Sequence, residues 1–220
     1  MAHNFQKIYA PFGRKNSNDR MIDETIISNQ TPWVPYLRGL KFKASEKIDG
    51  TSVGIVWDGE RVHFIGHTDK SQFAPRYAEY LKSRFCSSEF ESMVEEYFGE
   101  KSVILYGEGI SKDYNVHYGF PDGEFILYDI QSQESGNFWD RQYVKEAAEK
   151  LGFKYPWETD MTLDEAIEFV KTRPQSVLDS SVKMEGLVLR APIELTSNGK
   201  RVITKVKVKD FVDIPNYKTE

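Results

Sequence analysis

Glu46-Lys47-Ile48-Asp49-Gly50-Thr51 places one lysine between an alternating, strand-like segment and a glycine turn, with a carboxylate on either side. Lysine is ordinarily a hydrated, protonated surface residue. Burial or a neighbouring cation lowers its pKa and frees the amine as a nucleophile, suited here to attack on phosphorus. Gly50 permits a sharp turn or a close approach of backbone to phosphate. The same six residues also read as a strand ending in an Asp-Gly turn with a solvated lysine. The rest of the chain has to choose between these readings.

Upstream, Lys41–Glu46 alternates as a strand, and residues 1–40 form a polar, irregular strap broken by Pro11, Pro32 and Pro35. Downstream, Ser52–Trp57 and Arg61–Gly66 flank Asp58-Gly59 as a hairpin. Helical spacing covers Pro75–Phe85, Glu89–Phe98 and Trp139–Leu151. Thr162-Leu163-Asp164-Glu165 is a capping box opening a helix that runs to about Thr172, with Pro174 beyond it. Short β-rich runs occupy Ser102–Tyr106, Glu124–Ile130, Glu185–Arg190 and Arg201–Val208. Hairpins interleaved with separate helices indicate an α+β fold rather than a parallel βαβ sheet.

The chain has 220 residues, 40% hydrophobic and 29% charged, enough for one large domain with a well-buried core. No apolar run reaches the length of a membrane span, and Met1–Lys7 has no apolar stretch of the kind a secretory signal needs. Cys86 is the only cysteine, so no internal disulfide forms, and a reducing, cytoplasmic setting is expected. The four histidines are scattered, without zinc spacing. A net charge of -5 argues against non-specific coating of nucleic acid, although Lys200–Lys209 is locally basic.

Four further segments carry candidate chemistry. Tyr106-Gly107-Glu108-Gly109 puts a carboxylate at a strand end, either exposed in a turn or reaching a ribose hydroxyl or a metal-bound water. In Phe125-Ile126-Leu127-Tyr128-Asp129-Ile130, Phe125 and Leu127 suit a core while Tyr128, on the opposite face, offers a ring for a base to stack on. Glu185 enters the apolar run Gly186-Leu187-Val188-Leu189-Arg190, which is costly without a partner such as Mg²⁺. In Thr204-Lys205-Val206-Lys207-Val208-Lys209, alternation puts three lysines on one face, as guards of a sheet edge or as a grip on phosphates.

In this order the segments resemble the covalent nucleotidyltransferase superfamily of polynucleotide ligases and capping guanylyltransferases. Lys47-Ile48-Asp49-Gly50 is similar to motif I, Gly107-Glu108 to motif III, Phe125–Ile130 to motif IIIa, Glu185–Arg190 to motif IV and Lys205-Val206-Lys207 to motif V. Within the superfamily the chain most resembles ATP-dependent RNA ligases of the RNA ligase 2-like family. The resemblance implies a ligase adenylation fold, with antiparallel sheets flanked by helices around a nucleotide groove. It implies that Lys47 attacks the α-phosphorus of ATP and holds AMP as a phosphoramidate. Lys205 and Lys207 would contact the α-phosphate and depress the pKa of Lys47. Glu108 would bind ribose, Tyr128 would stack on adenine, and Glu185 would position Mg²⁺, or Mn²⁺ in its stead. Glu46, Ile48 and Ser52 complete the implied nucleotide-binding set.

The AMP would then pass to a 5′-phosphate, and a 3′-hydroxyl would displace it, sealing RNA ends or nicks in duplex RNA or RNA/DNA hybrid. A DNA nick ligase, a capping guanylyltransferase and a non-catalytic RNA-binding module are the alternatives. Some family features differ: Ser52 stands where asparagine is common, and His67, with Lys70 nearby, stands where an arginine is usual. Eleven residues follow Lys209, too few for a further domain. The expectation is therefore a single catalytic domain, with nucleic acid held by the core surface around Lys112, Arg190 and Lys200, or by an accessory protein.

Overall fold

The computed structural model describes residues 5–66, 72–114, 118–120 and 122–213. The N-terminal strap supplies β1 (Phe12–Gly13), β2 (Asp23–Ile27) and the one-turn helix α1 (Val34–Leu37). The strand before the lysine is β3 (Phe42–Glu46), and the Asp58-Gly59 hairpin joins β4 (Thr51–Trp57) to β5 (Val62–Gly66). Asp58 shapes that turn, its Oδ1 accepting the N–H groups of Glu60 and Arg61 at 3.0 and 2.9 Å. There follow α2 (Pro75–Phe85), α3 (Ser88–Phe98), β6 (Val103–Ile110), β7 (Glu124–Ser132), α4 (Arg141–Leu151) and β8 (Glu158–Met161). The capping box opens α5 (Leu163–Lys171): Glu165 N–H donates to Thr162 Oγ1, and Thr162 N–H donates back to the Glu165 carboxylate. The chain continues through β9 (Gly186–Arg190), β10 (Thr196–Ser197), β11 (Lys200–Arg201), β12 (Ile203–Lys207) and α6 (Val208–Phe211).

These elements fall into two compact units, one of Met1–Phe5 and Asp49–Pro156, the other of Gln6–Ile48 and Trp157–Glu220. The first is built on the antiparallel sheet β5-β4-β6-β7. One face buries Val53, Ile55, Trp57, Leu105, Phe125 and Leu127 against the apolar stripes of α2, α3 and α4. Each such side chain contributes about 1.5–3 kcal/mol when fully withdrawn from water. Ser52 pairs with Glu108, and Glu108 with Ile126, so these three side chains share the other face. The register shifts between Tyr106 and Gly107, leaving Tyr128 as the extra residue of a β-bulge. Ile126 and Asp129 pair with face-mates Glu108 and Tyr106, so the bulge carries Tyr128 and Asp129 toward that same face.

Strand β6 corrects the expectation that the run ends at Gly107, for it continues through Glu108 and Gly109 to Ile110. The two glycines make room for rings. A Cβ on Gly107 would collide with the Phe125 ring, and one on Gly109 with the Tyr77 ring. Glu108 is therefore held in mid-strand.

The second unit is built on the antiparallel sheet β12-β9-β3-β8. Phe42, Ala44, Leu187, Leu189 and Val206 pack beneath it against Leu163, Ala166, Ile167 and Val170 of α5. Lys43, Ser45, Val188, Arg190, Lys205 and Lys207 share the opposite face by register. Gly186 lies so close to β12 that a Cβ there would sit inside the contact shell of the Val206 carbonyl oxygen. Gly186→Ala is therefore expected to cost about 2 kcal/mol or more, as overpacking does. A thermal melt unchanged from the wild type would contradict this.

The final lysine strand also needs correction. Arg201 belongs to the small β10-β11 hairpin, β12 spans only Ile203–Lys207, and Val208 opens a helix. Lys209 thus leaves the strand, and two lysines rather than three share its face. The sequence reading also missed β8, which pairs with β3, and the β1-β2 pair in the strap.

Candidate nucleotide-transfer site

The second unit brings together four of the residues singled out in the sequence. The peptide after β3 is fixed by Lys47 N–H donating to Gly186 C=O at 2.9 Å. From there Lys47 Nζ reaches Glu185 Oε2 at 2.5 Å. Lys207, on β12, forms an ion pair with the other oxygen, Oε1. Glu185 therefore sits between two ammonium groups, with side-chain exposure of 9% against 21% for Lys47 and 16% for Lys207. Burial works to raise the Glu185 carboxyl, but the charges of Lys47 and Lys207 outweigh it and hold the group below the usual carboxylate range. Lys205 lies on the same strand face as Lys207. Its ammonium is pushed down by burial and then by the like charges of Lys207 and Lys47. The buried glutamate has found its partners, and they are lysines.

The strap braces this strand: Tyr9 C=O accepts from the Thr204 hydroxyl at 2.7 Å and from Lys205 N–H at 3.2 Å. Beyond β12, Asp210 pairs with Arg14 of the strap at 2.9 Å. Ile48 is buried, and its carbonyl lies 3.4 Å from Lys47 Nζ.

Glu46 is placed differently from its neighbour. It pairs with Leu187 and so shares the core face of the sheet, where its Oε2 accepts the backbone N–H groups of Val177 and Leu178. Arg190, expected on a surface that meets polynucleotide, is buried, and its Nη1 donates to Ser45 Oγ at 3.0 Å. Lys200 is exposed and reaches Gln30 Oε1 at 3.2 Å. Lys112 lies in a single 3₁₀ turn, Lys112–Tyr114. His67 and Lys70 lie outside the described residues.

In the first unit, Ser52, Glu108 and Tyr128 gather on one sheet face. The Ser52 and Tyr128 hydroxyl oxygens are hydrogen-bonded at 3.1 Å, either one able to donate. Phe5 lies edge-on to the Tyr128 ring with centroids 5.3 Å apart, and Phe138 and Tyr106 border the same patch. The Tyr128 carbonyl, at the bulge, accepts from the Arg141 guanidinium. Phe5 and Arg141 escaped the sequence reading. Nothing in the pattern marks Phe5, whereas Arg141 sits one step after Asp140, the N-cap residue of α4.

Among the described residues, no three or more His, Cys, Asp or Glu side chains gather as a metal-binding cluster. Glu185 is a carboxylate paired with both Lys47 and Lys207. A single carboxylate suits Mg²⁺ or Mn²⁺, which take much of their coordination from water and phosphate oxygens. Among the described residues, no helix is long and apolar enough to cross a membrane.

The model of the RNA ligase family matches residues 40–207, the span that holds every one of these groups except Phe5 and the strap and helix contacts. The chain belongs to the RNA ligase family. No curated protein matches it. Solved structures of the RNA ligase of Naegleria gruberi share its fold. A mutant of that ligase with ATP and Mn aligns at 18% identity and a TM-score of 0.61, covering 81% of this chain and 53% of that one. The same ligase with PPi aligns at 19% identity and a TM-score of 0.58, covering 91% and 58%. This RNA ligase family member thus spans somewhat more than half the length of the solved chains it matches.

Proposed function

We propose that this chain is an ATP-dependent RNA ligase that forms a lysyl-AMP on Lys47 and seals a 5′-phosphate to a 3′-hydroxyl, at nicks in duplex RNA or RNA/DNA hybrid. The observation that carries this reading is the lysine-carboxylate-lysine arrangement at Lys47, Glu185 and Lys207, within a family-matched span. In the first step the Lys47 Nζ lone pair attacks the α-phosphorus. An N–P bond forms, the bond to the bridging oxygen breaks, and pyrophosphate leaves. Attack needs that lone pair, so as nucleotide binds the Lys47 ammonium must release a proton to solvent and its contact with Glu185 must open. Lys205 and Lys207 meet the charge on the α-phosphate. Glu185 would hold a divalent ion, whose charge would add to the neutralisation of the phosphoryl oxygens.

Tyr128 offers its ring to adenine, with Ser52 and Phe5 fixing the plane, and Glu108 accepts from a ribose hydroxyl. The 5′-phosphate of the polynucleotide next takes AMP from Lys47, breaking the N–P bond. The adjoining 3′-hydroxyl then attacks that 5′-phosphorus and AMP leaves. The family match supports RNA as substrate, and the Naegleria ligase structure with ATP and Mn supports ATP with a divalent metal.

Incubation with ATP labelled at the α-phosphate, together with Mg²⁺ or Mn²⁺, is expected to leave label on the protein, and label at the γ-phosphate is expected to leave none. Nicked duplexes of RNA, hybrid and DNA then report the substrate. Absence of α-label would overturn the adenylation chemistry, and sealing of DNA nicks alone would overturn the assignment to RNA.

A further inference from the structure

Glu46 adjoins the nucleophile in sequence yet turns away from it, and its exposure is 2%. Its Oε2 accepts the consecutive backbone N–H groups of Val177 and Leu178 at 3.0 and 3.3 Å. Those two residues belong to a closed loop. Met184 N–H donates to Pro174 C=O at its base, and Ser176 N–H donates to Val182 C=O within it. The loop delivers the chain directly into Glu185. One residue therefore touches both halves of the ion pair: its own backbone leads into Lys47, and its carboxylate holds the loop that leads into Glu185.

We propose that Glu46 is a positioning residue that clamps the 174–184 loop and so sets the approach of Glu185 to Lys47, rather than a ligand of nucleotide or metal. The inference rests on the adenylation reading and deepens it. What the clamp requires is an acceptor for two N–H groups, not a charge. Burial in fact raises the Glu46 carboxyl, with the Ser176 hydroxyl and the Val177 and Leu178 N–H groups working against that rise. A neutral acceptor of the same length is therefore expected to serve.

The test compares Glu46→Ala with Glu46→Gln in the full chain. Glu46→Ala is expected to slow AMP transfer at saturating ATP by about tenfold or more, as a small misplacement of reacting groups does. The ATP concentration for half-maximal rate is expected to stay within about threefold. Glu46→Gln is expected to recover the rate to within about threefold of the wild type, because the amide oxygen accepts the same two bonds. Amide hydrogen exchange at Val177 and Leu178, which needs no activity, is expected to quicken in Glu46→Ala and not in Glu46→Gln.

Glu46→Gln as slow as Glu46→Ala would show that the charge matters and overturn the proposal. So would a Glu46→Ala effect confined to the ATP requirement, or unchanged exchange at the two amides. Should Glu46→Ala fail to fold, Val177→Pro removes one donor from a residue that is 59% exposed. Slow transfer in Val177→Pro beside fast transfer in Glu46→Gln supports the clamp, and the reverse overturns it. Loss of labelling in the wild type would instead sink the adenylation reading and leave the exchange comparison intact.

Discussion

Lys47→Ala is expected to abolish AMP transfer, with a fall on the order of 10⁴-fold or more, as removal of a covalent nucleophile does. The reason is chemical rather than structural. Among the described residues, the two other lysines at the site have different placements: Lys207 pairs with Glu185, and Lys205 is anchored by its backbone to Tyr9. Neither lies beside the Gly50 turn. The fold should survive, because Lys47→Ala leaves Glu185 paired with Lys207 and disturbs none of the apolar core. Residual labelling of a folded Lys47→Ala protein at a tenth of the wild-type level would move the nucleophile elsewhere.

Glu185→Ala is expected to have the largest effect on stability. Removing the carboxylate leaves two ammonium groups facing each other in a largely buried setting, and breaking a buried pair in this way costs about 3–5 kcal/mol. For a chain of this size that lowers the melting temperature by roughly 10 °C. Glu185→Gln keeps the volume and removes only the charge, so it isolates the electrostatic share. The sign of its pH dependence follows from the lowered carboxyl. A group whose folded value lies below its unfolded value stabilises the protein fully above the unfolded value. That contribution is lost as pH falls from the ordinary 4.5 through the lower folded value. The melting-temperature gap between wild type and Glu185→Gln should thus be full near neutrality and should narrow below pH 4.5. A gap independent of pH across that window would mean that the ion pairs contribute nothing to the folded state. AMP transfer in Glu185→Ala should also collapse, since Lys207 loses its tether.

Local chemistry made much of the fold legible. The Asp58-Gly59 turn, the Thr162 capping box, the alternation of β3 and the apolar run of β9 are properties of neighbouring residues, and each formed as expected. The misses arose where distant packing overrode a local signal. Gly107 and Gly109 read as strand punctuation, but they yield space to Phe125 and Tyr77, which lie elsewhere in the chain. Glu158–Met161 has little strand character of its own and is a strand because β3 needs a partner on that edge. The Lys205–Lys209 alternation looked unbroken, yet the chain turns into helix at Val208, where Val208 and Phe211 bury apolar surface in the core of the second unit.

The candidate site followed the same rule. Glu185, Lys205 and Lys207 were legible as charges in apolar runs and Lys47 as a lysine between a strand and a glycine turn, and the pairing of β9 with β3 and β12 brings the segments that carry them together. Period-two alternation already separates Glu46 from Lys47, so the side on which Glu46 lies was readable. Its loop partners were not, because backbone N–H groups carry no residue label.

Tyr128, the extra residue opposite Tyr106 and Gly107, acts as a frame-setter for the aromatic rib of β7. Upstream of it, odd positions face the helices and even ones the open side; downstream the parity is inverted. Excising that one residue would restore strict alternation and keep Phe125, Leu127 and Ile130 on the buried face, whereas a deletion elsewhere in β7 would turn one flank over, exposing Phe125 and Leu127 or, on the other side, Ile130. A screen of single-codon indels should therefore find both flanks of β7 among the least forgiving stretches of the protein, and deletion of Tyr128 itself better tolerated than deletion of either neighbouring flank.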